Sequence, residues 1–152
     1  MITASMKLRK IIATVAIVLG VVGVGVWLFS LIFSPSVTGV VARDNAERVK
    51  YLENLGWKVE SEPNSADEVT VPETFDEIYE YYNSIQKECG FDLSDKKGQP
   101  LKRYTYKVLN HPEQKQGDTV LAELLINEND EIVGGSIYSL RLDGFMTGLC
   151  KK

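Results

Sequence analysis

The feature that most constrains this chain is an uncharged apolar run at residues 11–33, which reads IIATVAIVLGVVGVGVWLFSLIF. As a helix, the run would be about 34 Å long at roughly 1.5 Å per residue. The hydrocarbon core of a bilayer is about 30 Å thick, so the run is long enough to cross it with modest tilt. The sequence therefore predicts one transmembrane helix at residues 11–33.

A cleaved signal peptide is the competing interpretation, because Lys7, Arg9 and Lys10 precede the run as basic residues precede a signal sequence. Signal peptides, however, have an apolar core of about 7–15 residues and a small-x-small cleavage site. This run is longer, and the residues SPSVTG that follow it at 34–39 offer no such site. A buried core helix is a weaker interpretation, because a small domain has little use for a helix that is apolar on every side.

The charges around the run predict its orientation. Basic residues lie just before it, whereas residues 34–42 after it contain no Lys or Arg. Segments rich in Lys and Arg stay on the cytoplasmic side of a membrane. We therefore expect a single-pass protein of the cell membrane, with a cytoplasmic basic tail at residues 1–10, a linker at 34–43 and an extracytoplasmic α+β domain at 44–150.

The part of the chain after the run is acidic. All 21 Asp and Glu residues lie there, against 14 of the 17 Lys and Arg residues, which gives a formal charge of −7. Nucleic-acid binding rests on neutralising phosphates with Lys and Arg, so we expect no nucleic-acid partner. Solubility is the simplest explanation of the acidity itself.

The chain has two cysteines, Cys89 and Cys150. A disulfide between them is chemically permitted outside the cytoplasm and would add roughly 4 kcal/mol of stability in the chain-entropy model. The alternative is that Cys89 is simply buried at the end of a helix, while Cys150 lies near a terminus, where chains usually fray. Two cysteines and one histidine make no four-ligand zinc site without carboxylates, and we expect no metal.

Two helices are predicted from their caps and apolar spacing. At 44–55, Asp44 is the expected N-cap, Glu47 completes a capping box, and Gly56 suits the left-handed position that ends a helix. At 74–89, Thr74 and Glu77 form a second capping box. The apolar stripe expected on this second helix consists of Phe75, Ile78, Tyr82, Ile85 and Cys89.

Three longer runs, at residues 101–110, 119–127 and 131–142, are predicted as strands from their alternating or apolar pattern. The polar connection at 127–130 is short enough for a hairpin, and Gly134 with Gly135 suggests a bulge or a close backbone contact. Short runs at 57–60 and 69–71 are candidates for extra strands. The predicted fold class is α+β: an antiparallel three-stranded meander with packed helices and short extra strands, preceded by one transmembrane helix.

Six short motifs occur in order along the predicted domain. They are YLENLGW at 51–57, VPETFD at 71–76, YN at 82–83, GFDL at 90–93, RYTY at 103–106 and LDGFM at 142–146. Together they resemble the bacterial domain-of-unknown-function family numbered 4830, over roughly residues 45–149. The resemblance implies a small envelope domain preceded by one membrane helix, and it implies no catalytic residues.

The sequence shows no recognisable catalytic pattern. His111 is the only histidine, and a hydrolytic triad would need it beside a nucleophile and an orienting acid. Catalysis by two carboxylates needs a cleft, which sequence alone does not provide for the acidic clusters at 76–80 and 128–131. Asn127, Asn129 and Glu131 alternate as calcium ligands do, but the glycine and the bidentate acid of a calcium loop are missing, so a hairpin turn is favoured.

Tyrosines are the more informative residues. The chain has seven, and tyrosine is enriched at interfaces because its ring is apolar and its hydroxyl forms hydrogen bonds. The alternative is that most of them pack between helix and sheet, and that Phe145 and Met146 fold back on the core. As a surface, the candidate interaction residues are Tyr81, Tyr104, Tyr106, Phe145 and Met146.

These observations predict a non-catalytic binding or interaction module of the bacterial cell envelope. We expect it to be held in the membrane by residues 11–33, to use no cofactor and to have another envelope protein as its partner. Two alternatives stay open: a small envelope hydrolase that uses carboxylates or His111, and an accessory subunit that acts through its membrane helix. A deep pocket gathering the titratable groups would favour the hydrolase.

Overall fold

The computed structural model describes residues 38–115 and 117–150. The predicted transmembrane helix at 11–33, the basic tail at 1–10 and the first four residues of the predicted linker lie outside them. Within the described ranges, no helix is both long enough and apolar enough to cross a membrane. Linker residues 40–42 lie against the sheet, where Ala42 is buried and its amide donates to the carbonyl of Asp130.

The described residues form one antiparallel sheet with helices on both sides. The strands are β1 (Ser65–Thr70), β2 (Pro100–Lys107), β3 (Val120–Ile126), β4 (Ile132–Ser139) and β5 (Met146–Gly148), and they lie side by side in sequence order. The helices are α1 (Asn45–Asn54), α2 (Glu77–Lys87) and a short 3-10 helix, η1 (Leu93–Lys96).

The prediction of a three-stranded meander is wrong, because the sheet has five strands. β2, β3 and β4 are the three predicted strands with shorter bounds, while β1 and β5 extend the sheet at its two edges. β1 overlaps the candidate strand at 69–71 at residues 69–70, whereas its first four residues, SADE, are exposed and have no apolar face to reveal them in the sequence. β5 has only three residues and pairs through Met146 with Tyr138. The run at 57–60 makes a single bridge, from Val59 to Val108.

Strand β3 separates two hydrophobic cores, because all of its residues are buried. On one face, Ala122 and Leu124 belong to the larger core, together with Leu52 of α1 and Trp57. On the opposite face, Leu125 belongs to a smaller core. The other buried members of this second core are Val71, Leu93, Leu101 and Val133, with Val69, Phe75, Tyr79 and Tyr82 packed against it.

Asp44 caps helix α1 and Gly56 follows its end, as the sequence predicts, but the carboxylate of Glu47 accepts from the amide of Arg43 at 2.7 Å, one residue before its partner in the predicted capping box. The side chain of Asp44 accepts a hydrogen bond from the amide of Glu47 at 2.9 Å. At the other end, Gly56 has a φ of 87° and the amide of Trp57 donates to the carbonyl of Leu52. This left-handed helix ending satisfies carbonyls of the last turn and directs Trp57 into the larger core.

Helix α2 differs from its prediction at the N-terminus and in its buried face. Asp76, rather than Thr74, is the N-cap, and it accepts from the amide of Tyr79 at 2.8 Å. The buried residues of the helix include Asn83 and Gln86, whereas Ile78 of the predicted stripe is 80% exposed. The predicted stripe is therefore wrong at Ile78, because two polar residues take part in the inward face.

These two buried amides hold α2 in place. Asn83 donates to Asp92 and Ser94 and accepts from the amide of Leu93 at 2.8 Å, which ties the helix to η1. Gln86 accepts from the amide of Gly135 at 2.7 Å, at the edge of β4. A buried backbone amide without a partner is costly, so Gln86 satisfies a donor that the sheet leaves unpaired.

The glycine pair in β4 combines a bulge with a close contact, the two features that the sequence suggests. Leu125 pairs with Gly134 and Ile126 pairs with Ile132, so Val133 is the extra residue. A Cβ added to Gly135 would collide with the backbone carbonyl of Glu123 and with Leu149.

We expect Gly135→Ala to lower the free energy of unfolding by about 1–3 kcal/mol, because a backbone oxygen is in the way. Gly134→Ala is the matched control, since its Cβ would lie 3.2 Å from side-chain atoms that can move. Urea unfolding of both variants measures the difference. Equal stability of the two variants would contradict this account of the bulge.

A disulfide joins Cys89, just after α2, to Cys150, just after β5. The residue before Cys150 is also held, because the indole Nε1 of Trp57 donates to the carbonyl of Leu149 at 2.6 Å. Leu149 is fully buried in the larger core. The last described residues are thus fastened to both α2 and the core.

We expect reduction of this bridge to cost about 4 kcal/mol of stability, because the closed loop restricts the unfolded chain. Urea unfolding of the native protein with and without a dithiol reductant measures the cost. The double variant Cys89→Ser/Cys150→Ser should match the reduced protein and should not respond to reductant. A native protein whose stability is unchanged by reduction would disprove the expectation.

Candidate functional site

A groove of about 530 Å³ lies between α2 and the sheet face that carries the smaller core. All five strands contribute to it, as does the N-terminal half of α2, so it crosses the whole width of the sheet. We call it the tyrosine groove. Its lining residues are Val69, Thr70, Val71, Ile78, Tyr79, Tyr81, Tyr82, Leu101, Arg103, Glu123, Leu125, Tyr138 and Met146.

A buried carboxylate, Glu123, lies on the floor of the tyrosine groove. It is 7% exposed and belongs to the central strand β3. Its Oε1 accepts from the hydroxyl of Tyr82 at 2.6 Å and from that of Ser136 at 3.2 Å. Its Oε2 lies 4.0 Å from Nη1 of Arg103. Two hydroxyls and a nearby guanidinium thus offset the cost of burying this charge.

Arg103 is directed mainly toward another carboxylate. Arg103 on β2 and Asp67 on β1 are direct cross-strand partners, and Nε and Nη2 of the arginine donate to the two oxygens of Asp67. The hydrogen bond from Arg103 lowers the pKa of Asp67, and the same contact raises the pKa of Arg103. Arg103 therefore lies between two carboxylates, Glu123 on the groove floor and the exposed Asp67, which does not line the groove.

The tyrosines around Glu123 stay neutral at physiological pH. Burial, with a further contribution from the charge of Glu123, raises the pKa of Tyr82 well above its usual range. The same two causes raise the pKa of Tyr79 and of Tyr138. The tyrosines therefore add hydroxyl dipoles and aromatic faces to the groove, but no charge.

The rim of the tyrosine groove is apolar and open to solvent. Ile78 is 80% exposed, Tyr81 66% and Met146 39%. Behind them, the rings of Phe75 and Tyr79 lie 4.5 Å apart between centroids. Large apolar side chains grouped around a concavity are typical of binding surfaces, whereas single exposed ones need no explanation.

The structure separates the five candidate interaction residues. Tyr81 and Met146 line the tyrosine groove. Tyr106 is fully buried, and its hydroxyl accepts from Nε of Arg48 and donates to Asn45. Tyr104 is half-buried, with the guanidinium of Arg48 3.9 Å from its ring centroid. Phe145 is half-buried against the larger core.

His111 lies in an aromatic stack away from the tyrosine groove. Its ring centroid is 4.3 Å from that of Phe145 and 5.6 Å from that of Trp57. Its Nδ1 accepts from the backbone amide of Glu113 at 3.2 Å. A second cavity of about 460 Å³ adjoins this stack and the disulfide.

The residues with calcium-like spacing form the turn of a hairpin, as the sequence predicts. Oδ1 of Asn127 accepts from the amides of Asn129 and Glu131, each at 3.0 Å. Asp130 takes the left-handed conformation with a φ of 59°. Across residues 38–115 and 117–150, no group of three or more His, Cys, Asp or Glu residues could hold a metal ion.

Sequence reasoning missed Arg103, Glu123 and Tyr138 as site residues. One signal was available, because Glu123 is the single charged residue in the otherwise apolar run VLAELLI at 120–126. Glu123 contacts Ser136 because of the pairing register of β3 and β4, and it contacts Tyr82 because of the rotation of α2 about its axis. No local sequence pattern predicts the register or the rotation.

The fold and the groove define a small disulfide-linked α+β domain with an aromatic groove on one face of its sheet. A family model described as Domain of unknown function (DUF4830) matches residues 51–137, and the chain belongs to that family. The match confirms the resemblance seen in the short motifs. The membrane anchor that the resemblance implies for residues 11–33 stays a prediction. No curated protein and no solved structure matches the chain.

The matched residues run from α1 into β4. They include Arg103 and Glu123 on the groove floor, and Tyr79 and Tyr82 on α2. Met146 and the cysteine at 150 lie beyond the match.

We expect Tyr82→Phe to lower the free energy of unfolding by about 1–3 kcal/mol at neutral pH, because buried Glu123 loses its 2.6 Å hydrogen bond. Above pH of about 10, the unfolded chain releases its tyrosine protons more readily than the folded protein, so stability falls as pH rises. The variant lacks one such group and should fall less steeply. Urea unfolding across this pH range tests both effects, and parallel pH profiles would contradict the second.

Proposed function

We propose that this domain is a non-catalytic binding module, and that its tyrosine groove accepts an apolar segment of another protein of the cell envelope. The observation that supports the proposal is the exposure of Ile78, Tyr81 and Met146 around one concavity. Covering such side chains is favourable by about 25 cal/mol per Å² of apolar surface removed from water. A tyrosine-rich wall also supplies rigid contact area with few rotatable bonds.

The disulfide supports an extracytoplasmic location for the module. Structural disulfides persist in oxidising compartments and are rare in the cytosol. A bridge between Cys89, two residues after α2, and Cys150, two residues after β5, is structural in this sense. We propose that the domain works outside the cytoplasm, where the basic residues before the apolar run would also place it.

The contacts of His111 support binding rather than hydrolysis. A hydrolytic histidine needs a nucleophile on one ring nitrogen and an orienting acid on the other. The ring of His111 stacks on those of Trp57 and Phe145, and its Nδ1 accepts a hydrogen bond from the backbone amide of Glu113, so this nitrogen does not donate to an orienting acid. Oε1 of the buried Glu123 accepts from Tyr82 and Ser136, which gives that oxygen a structural role.

In-cell crosslinking of the full-length protein tests the proposal. A photo-reactive phenylalanine analogue would replace Tyr81 at the groove rim, and in a second strain would replace Leu142. Leu142 is equally apolar and is exposed, but it does not line the groove. We expect one discrete protein adduct from position 81, with the crosslinked segment identified by mass spectrometry, and none of that adduct from position 142.

Two rim substitutions sharpen the result. Ile78→Ser should abolish the adduct from position 81, because it removes the most exposed apolar side chain of the rim without disturbing the core. Leu142→Ser is its matched control and should leave the adduct intact. An adduct that forms equally from positions 81 and 142, or that survives Ile78→Ser, would refute the groove as the binding site.

A further inference from the structure

The groove floor carries a carboxylate oxygen that the domain itself does not satisfy. Oε1 of Glu123 accepts both hydroxyl hydrogen bonds, from Tyr82 and from Ser136. Oε2 accepts no hydrogen bond from any described residue, and its nearest cation is Arg103, 4.0 Å away. That distance is beyond a hydrogen bond between nitrogen and oxygen. Glu123 thus lines the groove with one acceptor still available.

Arg103 compensates the charge of this acceptor only in part. Its Nε and Nη2 are committed to Asp67 on the neighbouring strand. Charge–charge interactions weaken with distance, so the positive charge of Arg103 interacts more strongly with Asp67, to which it forms two hydrogen bonds, than with Glu123. Glu123, Asp67 and Arg103 together carry a net charge of −1, and Glu123 is the carboxylate of these three residues that is buried and lines the groove.

The walls around Glu123 suit a cation. Tyr79, Tyr82 and Tyr138 all lie close enough to Glu123 for its charge to act on them, and Tyr81 stands at the rim. The face of an aromatic ring attracts a cation, and aromatic-lined sites bind ammonium groups. An anionic ligand would instead meet Glu123 without compensation.

The charge of the whole domain points the same way. All 21 acidic residues of the chain lie between positions 44 and 143. An acidic domain attracts basic partners at long range and repels acidic ones. Local and overall charge therefore both favour a basic ligand.

We propose that the tyrosine groove recognises a peptide segment in which a lysine or arginine is flanked by apolar residues, with the cationic head against Glu123 and the flanking residues on Ile78, Tyr81 and Met146. This inference rests on the proposed function for the location of the site and adds the chemistry of the ligand. A basic side chain with an apolar stem matches both parts of the groove.

Three capped tripeptides that differ only at the central residue test the charge. They are acetyl-Leu-Lys-Leu-amide, its Gln analogue and its Glu analogue. Each is titrated by calorimetry into the full-length protein in nanodiscs of zwitterionic lipid. We expect the Lys peptide to bind roughly tenfold to a hundredfold more tightly than the Gln peptide, as for a hydrogen bond to a charged group. The Glu peptide should bind most weakly.

Glu123→Gln should remove the preference for Lys over Gln, so that the two peptides bind with equal affinity. Glu128→Gln is the matched control, because it makes the same change in net charge at an exposed hairpin position outside the groove. It should keep the preference. Tyr138→Leu gives a second test, because Tyr138 lines the groove beside Glu123 and belongs to neither hydrophobic core. It removes an aromatic ring next to the cationic head, so it should weaken the Lys peptide more than the Gln peptide.

Each outcome decides the question. Loss of the Lys preference in Glu123→Gln but not in Glu128→Gln supports the inference. Equal affinity of the three peptides, lost on Ile78→Ser, would overturn the cation preference and leave the groove as an apolar binding site. Equal effects of the two carboxylate variants would also overturn it, as would no binding of the Lys peptide at about millimolar concentration. Should Glu123→Gln fail to unfold cooperatively, the Tyr138→Leu result decides instead: an equal loss of affinity for the Lys and Gln peptides would overturn the inference.

Discussion

The structure depends on the burial of β3 on both of its faces. A strand with no exposed residue needs cover on each side, and this chain supplies it with two different cores. The larger core, which contains Leu52 of α1, is almost wholly apolar. The smaller one includes the carboxylate of Glu123, so whatever covers that face must bring hydrogen-bond donors as well as apolar surface. Tyr82 does both, because its ring packs on the core and its hydroxyl reaches the carboxylate.

The polar side of α2 explains why a groove exists at all. Asn83 and Gln86 face inward because they satisfy backbone groups of η1 and β4 that have no partner in the helix or the sheet. Turning these amides inward turns Ile78 and Tyr81 outward. Exposed apolar residues on α2 are thus a consequence of how the helix is anchored. One orientation of α2 about its axis therefore both attaches the helix to η1 and β4 and leaves the groove open.

Local sequence signals predicted the elements that local interactions decide. Asp44 and Gly56 bound α1 as expected, and the hairpin at residues 127–131 follows from the side chain of Asn127. The edge strands were not fully predictable in this way, because the first four residues of β1 are exposed and β5 has only three residues. The rotation of α2 was also out of reach. Asn83 and Gln86 are polar, so the sequence alone predicts that they face solvent. Their hydrogen-bond partners show that they face inward, and the partner of Gln86, Gly135, is distant in the sequence. The groove was not predictable from local sequence for the same reason, since its residues come from five strands and one helix.

The disulfide determines which parts of the domain can yield to mechanical tension. Residues 89 and 150 are joined, so η1 and β2 to β5 lie within one covalent loop, while α1, β1 and α2 precede it. A chain under tension lengthens by at most about 3.5 Å for each residue released. With the bridge closed, pulling the two ends of the described domain apart can extend only residues 38–89. Tension would therefore strip α2 from the sheet, and with it the outer wall of the groove, while β2, β3 and β4 stay within the closed loop. A load that extends residues 38–89 would therefore alter the groove, because β1 and α2 both line it.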